Sequence, residues 1–311
     1  MFQGMEYVYE VYKEGSFTKA AQNLYISQPS LSATIKKIET RIGNPIFDRS
    51  TSPIRLTECG KEYVKCVKEI LEIQNRFNNY LNDTNELKTG QLVIGASNLF
   101  ASFVLPPLIS EFTQRYPLVK INIVEANTPL LEERLLEGFL DLVIDNYQFN
   151  EAVYAKHIFC LEHLLLVVPD KYVPQNIPEE AKLTACDVLA DKHILTAATA
   201  IKLNHFGDSP FVFLKIGNDT RKRSDKICQN QNFEAKIILE LDQQITAYNL
   251  ACYGMGIAFV SDTLIKKVKP DLNVTFYKLD DAEAQRAVCF YHKQGRYLTR
   301  AMEEFLKIAI H

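Results

Sequence analysis

Apolar residues recur at helical spacing through the first 42 positions of the chain. Phe2, Met5, Val8 and Tyr12 form one stripe that closes at Gly15, and Phe17, Ala20, Ala21 and Leu24 form a second. Ile26 falls in a tight connection, after which Leu31, Ile35, Ile38 and Ile42 resume the i, i+4, i+7 pattern. This spacing predicts three short helices around one small core. Ser27 is a suitable N-cap for the third, and Pro29 fits its first turn because its missing N–H has no intrahelical partner there. Pro45-Ile46-Phe47 and Ile54-Arg55-Leu56 then flank a polar turn, Asp48 to Pro53, which predicts a short β-wing.

From Thr57 to about Leu87 the pattern predicts one long helix, capped by Thr57 with Glu58 at its positive end. Tyr63, Val67, Ile70, Phe77 and Leu81 recur at three- and four-residue steps along it. A helix of about thirty residues reaches roughly 45 Å, and its stripe is expected to pair with a copy of itself in a homodimer. At Thr89-Gly90 the period changes. Leu92–Ala96, Val119–Val124 and Leu140–Ile144 read as strands alternating with helices Phe103–Tyr116 and Pro129–Glu137. A second run starts with the strand His163–Val168. It continues through strands Phe211–Leu214, Lys236–Glu240 and Ile257–Val260, with helices Asp219–Cys228 and Gln243–Tyr253 between them. Two α/β halves in series predict two lobes with a cleft between them. Tyr172 to Ser209 follows neither period.

Charge gives the first helices a function. Between Thr18 and Thr57 lie six basic residues and two acidic ones, a net of +4, whereas residues 61 to 311 carry 28 basic and 32 acidic. A basic patch on an acidic chain is the electrostatic footprint of a nucleic-acid contact. The second and third helices form a helix–turn–helix, the third turning Gln28, Pro29, Ser30, Ser32 and Lys36 away from the core. With Thr18, Ser27 and the wing arginines Arg49 and Arg55, these are the expected contacts to double-stranded promoter DNA. Such heads bind two-fold sites as dimers.

At 311 residues and 47% hydrophobic content the chain supports more than one core. Its start is amphipathic and acidic, without the order of a signal peptide, and no run approaches 18 apolar residues, so a soluble cytoplasmic protein without a membrane partner is expected. Cys59, Cys66, Cys160, Cys186, Cys228, Cys252 and Cys289 are far apart and read as reduced thiols. The six histidines are scattered, so no metal and no cofactor are expected.

Ligands of open α/β sheets sit at strand C-terminal ends, where loops lead into helix N-termini. That rule selects Ser97, Asn98, Ser102, Asn127 and Thr128 in the first lobe. In the second it selects Asn218, Thr220, Arg221, Gln243 and Ser261, with Gln244 pointing elsewhere if Gln243 points in. Helix N-termini favour an anion or carboxylate, and Arg221 is the expected counter-charge.

The head segments GSFTKAAQNLYISQPSLSATIKKIE, RIGNPIFDRS and RLTECG together resemble the LysR-type transcriptional regulators, and GMGIAFVSD and IGNDTRKR resemble second-lobe segments of that family. The likeness covers essentially the whole chain. It implies a winged helix–turn–helix over residues 1–58, a linker and dimerisation helix over 59–88, and a two-lobed α/β effector-binding domain over 89–311 that resembles a periplasmic binding protein. Lobe I would take 89–161 and 269–311 and lobe II 162–268, the chain crossing near Phe159 to His163 and back near Val268 to Val274, with Phe305 to Ile310 rejoining lobe I. The resemblance also implies a small effector in the cleft, contact with RNA polymerase and a homotetramer. Ala33 and Thr34 depart from the family, which commonly has an arginine and a polar residue there. About 25 residues around 172 to 200 look additional by the family's usual spacing and are expected to form a lid or an extra contact surface.

Three other readings remain open at this point. Two lobes could host an enzyme, but the chain has no GxSxG elbow, P-loop, Rossmann fingerprint or HExxH. A constitutive DNA binder would have an inert second domain with a collapsed cleft. A thiol-based redox sensor would use Cys228 with Cys186 or Cys252.

Overall fold

The computed structural model describes residues 1–51, 53–83, 90–195, 199–269 and 273–310. The chain divides into two compact units, Met1–Leu81 and Asn82–His311.

The first unit is the head. Helices α1 (Met5–Glu14), α2 (Phe17–Asn23) and α3 (Gln28–Ile42) precede a two-stranded wing, β1 (Phe47–Asp48) and β2 (Arg55–Leu56), and the long helix α4 (Glu58–Asp83). Val8, Val11, Ala20, Leu31 and Ile35 are completely buried in its core. The core also takes up the start of α4: Tyr63, Val64 and Val67 are buried in it and Ile70 packs against it. Tyr63 and Val67 therefore serve the head's own core, which corrects the expectation of a dimer face for these two, while Ile70 remains partly exposed. Ile73 and Phe77 are more than half exposed further along α4. The side chain of Leu81 and residues 84–89 lie outside the described residues. Gly60 ends the RLTECG segment that closes the head, and its environment explains the glycine. A Cβ there would stand 2.0 Å from the Ile46 carbonyl oxygen, so only glycine lets α4 pack against the start of the wing.

The second unit follows the alternating pattern. Its first lobe contains β3 (Gly90–Ala96), α5 (Leu105–Arg115), β4 (Val119–Glu125), α6 (Thr128–Leu136) and β5 (Leu142–Asp145). A 16-residue strand, β6 (Tyr154–Pro169), then threads both lobes. The second lobe contains α7 (Ala185–Leu189), β7 (Pro210–Leu214), α8 (Asp219–Asn230), β8 (Lys236–Leu241), α9 (Gln244–Cys252), β9 (Ile257–Ser261), α10 (Asp262–Ile265) and β10 (Val274–Lys278). Strand β11 (Gln285–Lys293) and helix α11 (Arg300–Ile310) close the chain. Parallel β3, β4 and β5 join antiparallel β11, which pairs with Tyr154–His163 of β6. The rest of β6, Leu164–Pro169, pairs antiparallel with β9 and β10. Beyond β9, β7 and β8 complete the second sheet in parallel. The outward crossing thus falls at His163/Leu164.

The return differs from expectation. Residues Val274 to Lys278 are still in the second lobe, paired with Leu165–Pro169, and the chain re-enters the first lobe between Lys278 and Gln285. Helix α11 then packs on the first lobe, with Phe305 against Phe112 and Phe290. The described residues of the 172–209 stretch, 172–195 and 199–209, form no lid. They run beside β10 through bridges Leu183–Phe276 and Ile201–Leu279, and insert Ile177, Leu203 and Phe206 into the second-lobe core. Among the described residues no helix is long and apolar enough to cross a membrane.

Candidate nucleic-acid interface and effector cleft

In the head, the turn between α2 and α3 fixes how α3 is presented. Ser27 caps α3 by accepting from the Ser30 N–H at 3.3 Å. Thr18, Ser27, Gln28, Pro29, Ser30, Lys36, Arg49 and Arg55 are exposed, and Ser32 is half-buried. The wing is tied to α3 through Glu39. Its Oε1 accepts the N–H groups of Ile46 and Phe47, at 2.9 and 3.2 Å, and its Oε2 pairs with Arg49 Nη2 at 3.0 Å. Arg49 Nη1 donates to Ser32 Oγ at 3.2 Å, and its guanidinium lies over the Phe17 ring. A wing cation therefore stands beside the recognition helix, where it can meet a phosphate. Arg55 lies on β2 opposite Asp48. Thr34, one of the two departures from the family pattern, turns its hydroxyl back to the Ser30 carbonyl at 2.9 Å. Sequence reading passed over Tyr25. It is 95% exposed and adopts φ 54° in the turn, a left-handed conformation unusual for an aromatic residue.

In the second unit, a cleft of about 500 Å³ lies between the lobes. Ser97 and Asn98 line it after β3, Asn127 and Thr128 at the start of α6, Asn218 before α8 and Gln243 before α9. Asn127 caps α6 by accepting from the Leu130 N–H, and Asn218 caps α8 by accepting from the Thr220 N–H. Glu125, Lys215 and Asp242 were not among the expected cleft residues, yet they supply its charges. Lys215 pairs with Asp242 at 2.7 Å and Asn98 donates to Glu125 at 3.0 Å. These lie at the same strand ends as the expected residues, where a wider reading of each loop reaches them.

Four expectations need correction. Ser102 is exposed within the π-helical turn Phe100–Val104 and is not among the cleft-lining residues. Thr220 is buried, its Oγ1 accepting from Gln244 Nε2 at 2.7 Å and Arg286 Nη1 at 3.0 Å. Ser261 is buried as the N-cap of α10, and its N–H donates to Gln244 Oε1. Arg221 lines an adjoining cavity of about 440 Å³, but its guanidinium is held by Asp225, Glu240 and the Leu214 carbonyl and lies over Phe213. Its charge is already answered by two carboxylates, which removes it as the free counter-charge of an anion.

Beneath the cleft the two lobes are joined by a buried polar network. Arg286 on β11 donates through Nε to Glu162 Oε2 on β6 at 2.6 Å and through Nη1 to Asp219 Oδ2 on α8 at 2.8 Å. Arg286 and Glu162 are almost wholly buried. Nearby, burial pushes the Asp145 carboxyl up to about 6, although hydrogen bonds from the Tyr147 N–H and the Thr128 hydroxyl oppose the rise. Among the described residues the seven cysteines form no disulfide, and burial pushes the thiols of Cys228 and Cys160 up to about 12, which keeps them protonated and poorly nucleophilic.

Comparison with known proteins agrees with this division. Residues 2–61 match the family described as bacterial regulatory helix-turn-helix protein, lysR family, and residues 85–310 match the LysR substrate binding domain. The HTH-type transcriptional regulator YcgK of Bacillus subtilis (strain 168) is 25% identical over 305 residues, spanning 98% of this chain and 92% of the relative. The structure of full-length CbnR complexed with its target DNA superposes with a TM-score of 0.64 at 16% identity, covering 99% of this chain and 98% of CbnR. The regulatory domain of CcmR from Synechocystis PCC6803, in complex with 2-PG, superposes with a TM-score of 0.57 at 19% identity, covering 71% of this chain and 96% of that domain. The chain belongs to the LysR family: it is a DNA-binding transcriptional regulator with an effector-binding domain, and not an enzyme.

Proposed function

We propose that the head binds a two-fold promoter site as part of a homodimer, and that the interlobe cleft takes a small hydrophilic effector bearing an anionic group. The observation that carries the effector reading is the meeting of three helix starts, those of α6, α8 and α9, in one polar cleft. Their N–H groups favour negative charge. Glu125 and Asp242 in the same cleft favour hydroxyl or ammonium donors elsewhere on the ligand. A hydroxy acid, an amino acid or a sugar acid has both features. CcmR, similar to this chain in fold, has a regulatory domain solved in complex with a small molecule, 2-PG, which supports a small-molecule effector here. An open cleft weighs against an inert second domain, and the raised thiols weigh against a redox sensor. For the dimer, the exposed Ile73 and Phe77 offer a second copy an apolar stretch of α4.

A thermal-shift screen of the full chain against small carboxylates, amino acids, sugar acids and neutral sugars tests the effector class. A ligand that binds only the folded state raises the melting temperature in proportion to its occupancy. Ser97→Val and Gln243→Leu are expected to abolish the shift, and Ser102→Ala to leave it. A screen in which only neutral sugars bind would refute the anionic class. Enrichment of a random duplex library tests the DNA reading, with a two-fold symmetric consensus expected.

A further inference from the structure

Two histidines and an aspartate distant in sequence meet where β6 passes from one lobe to the other. His163 is the last β6 residue paired with β11, His193 comes from the 172–209 stretch, and Asp262 opens α10. Sequence spacing gives no hint of this, since 69 residues separate His193 from Asp262 and 99 separate His163 from it. The Asp262 and His193 side chains are 4% and 0% exposed. Asp262 Oδ1 accepts the His163 N–H at 2.9 Å, which fixes the carboxylate and turns Oδ2 toward both imidazoles. His193 Nε2 lies 2.9 Å from Oδ2, and His163 Nδ1 lies 3.5 Å from it. The three donor atoms all fall within 4.8 Å of one another.

We propose that His163, His193 and Asp262 form a binding site for a divalent transition-metal ion, with zinc the best chemical match. One hydrogen bond to Asp262 would need one imidazole; here two nitrogens converge on the same oxygen. Ligand atoms around a tetrahedral zinc, with bonds of about 2.0–2.2 Å, stand roughly 3.4 Å apart. The observed 2.9 and 3.5 Å bracket that spacing. His163 Nδ1 is buried without a hydrogen-bond partner, and a metal bond satisfies it. Two imidazoles with one carboxylate select zinc, cobalt or nickel over magnesium and calcium, which prefer oxygen. A cavity of about 250 Å³ beside both histidines leaves space for a water as fourth ligand. Lys266 is the competitor: its ammonium lies 3.4 Å from Asp262 Oδ2 but 2.6 Å from Asp191, so it can yield the first and keep the second. Bound metal would fasten the 172–209 stretch to the strand that joins the lobes.

The test is calorimetric titration of the chelator-treated full chain with zinc chloride, paired with cobalt absorption. One equivalent per chain is expected, with visible cobalt bands of tetrahedral nitrogen and oxygen ligation. His193→Ala and Asp262→Asn should weaken binding by more than the roughly 10–100-fold that loss of an outer-shell partner causes. Because His193 is buried, His163→Gln, at a side chain 23% exposed, is measured with them and must do the same while its metal-free melting temperature stays near that of the parent. Lys266→Met should tighten binding. Absence of a zinc heat, unchanged affinity in a folded His163→Gln, or a thiolate-to-cobalt charge-transfer band would each overturn the site.

Discussion

Each unit of this regulator contains an arginine paired with a glutamate, and the two pairs do opposite things. Arg49 and Glu39 meet at 3.0 Å with side chains 41% and 13% exposed, whereas Arg286 and Glu162 meet at 2.6 Å with side chains 1% and 0% exposed. At the head's surface, water screens the attraction and the bond is cheap to exchange, so the guanidinium can leave its glutamate for a phosphate. In the hinge, where β6 and β11 pass between the lobes, neither charge has water to fall back on, and each depends on the partners around it: Arg286 on Glu162, Asp219 and Thr220, and Glu162 on Arg286 and Asn146. The same two side chains make a releasable contact in one unit and a fixed joint in the other. Exposure, not residue type, decides which.

The largest expected effect breaks the buried pair. Arg286→Met leaves the buried Glu162 without a guanidinium, while Asp219 keeps that of Arg223, and should cost about 3–5 kcal/mol in denaturant unfolding of the second unit. Removing both charges as Arg286→Met with Glu162→Leu should recover much of the loss, since an apolar pair in such a site is often neutral. If Arg286→Met alone unfolds at the parental midpoint, the joint is not held by this pair and the contrast collapses.

The next effect asks what happens to a buried carboxylate whose hydrogen bonds come from neutral groups. Asp145 is fully buried, held by the Thr128 hydroxyl and the Tyr147 N–H, and its carboxyl is pushed up to about 6 from an ordinary value of 3.8. Between those pH values the folded chain holds a proton that the unfolded chain has lost. The group's contribution is therefore most favourable below about pH 4 and is lost as pH rises through 6, on the order of 3 kcal/mol. Asp145→Asn should remove this slope. The difference in unfolding free energy between parent and variant, followed from pH 4.5 to 7, should move steadily in the variant's favour; a flat difference would show that Asp145 titrates normally.

The same contrast explains how much could be read from sequence. The head is legible because its contacts are local: stripes at three- and four-residue spacing from Phe17 to Ile42 close on one another, burying Phe17, Ala20, Ala21, Leu31, Ile35 and Ile38 with Leu24 and Ile42 half-buried at the edge. The cleft is partly legible, because strand ends and helix caps such as Asn127 and Asn218 carry local signatures. The hinge is not. Strand β6 was expected only from His163 onward, since its first half exposes Ile158 and Leu161 and buries Glu162, the reverse of an alternating strand. Strand β11 likewise begins by burying Arg286. These charges face inward because they answer each other across 124 residues, a relation no local window contains. Arg221 failed for the same reason: its partner Glu240 belongs to β8, the strand after its own helix.

A smaller effect concerns the turn that presents the recognition helix. Tyr25 sits at φ 54° and is 95% exposed, so its ring contributes little burial to set against an unfavourable backbone. A left-handed conformation costs a residue with a Cβ about 1–2 kcal/mol, and asparagine tolerates it better. Tyr25→Asn should therefore stabilise the head by about 0.5–1 kcal/mol. If the ring also touches DNA, affinity falls while stability rises, and fluorescence anisotropy with the enriched duplex separates the two. Loss of stability would mean the ring packs on the head after all.

The smallest effect on stability returns to the surface pair and decides whether the opening contrast is functional. Arg49→Ala should cost less than about 1 kcal/mol in unfolding, because an exposed ion pair stabilises little. Its effect should appear on DNA. A phosphate contact contributes without regard to base sequence, so affinity should fall about equally for the enriched duplex and for random duplex. The slope of log affinity against log salt should shrink by about 1. Glu39→Gln sharpens the comparison. Its remaining carbonyl oxygen can still accept the Ile46 and Phe47 N–H groups that hold the wing, while the charge that restrains Arg49 is gone. DNA binding should then tighten with the fold intact. A variant that weakens binding would instead show that Glu39 positions Arg49 for the phosphate, and that the head's ion pair, like the hinge's, works by fixing a geometry.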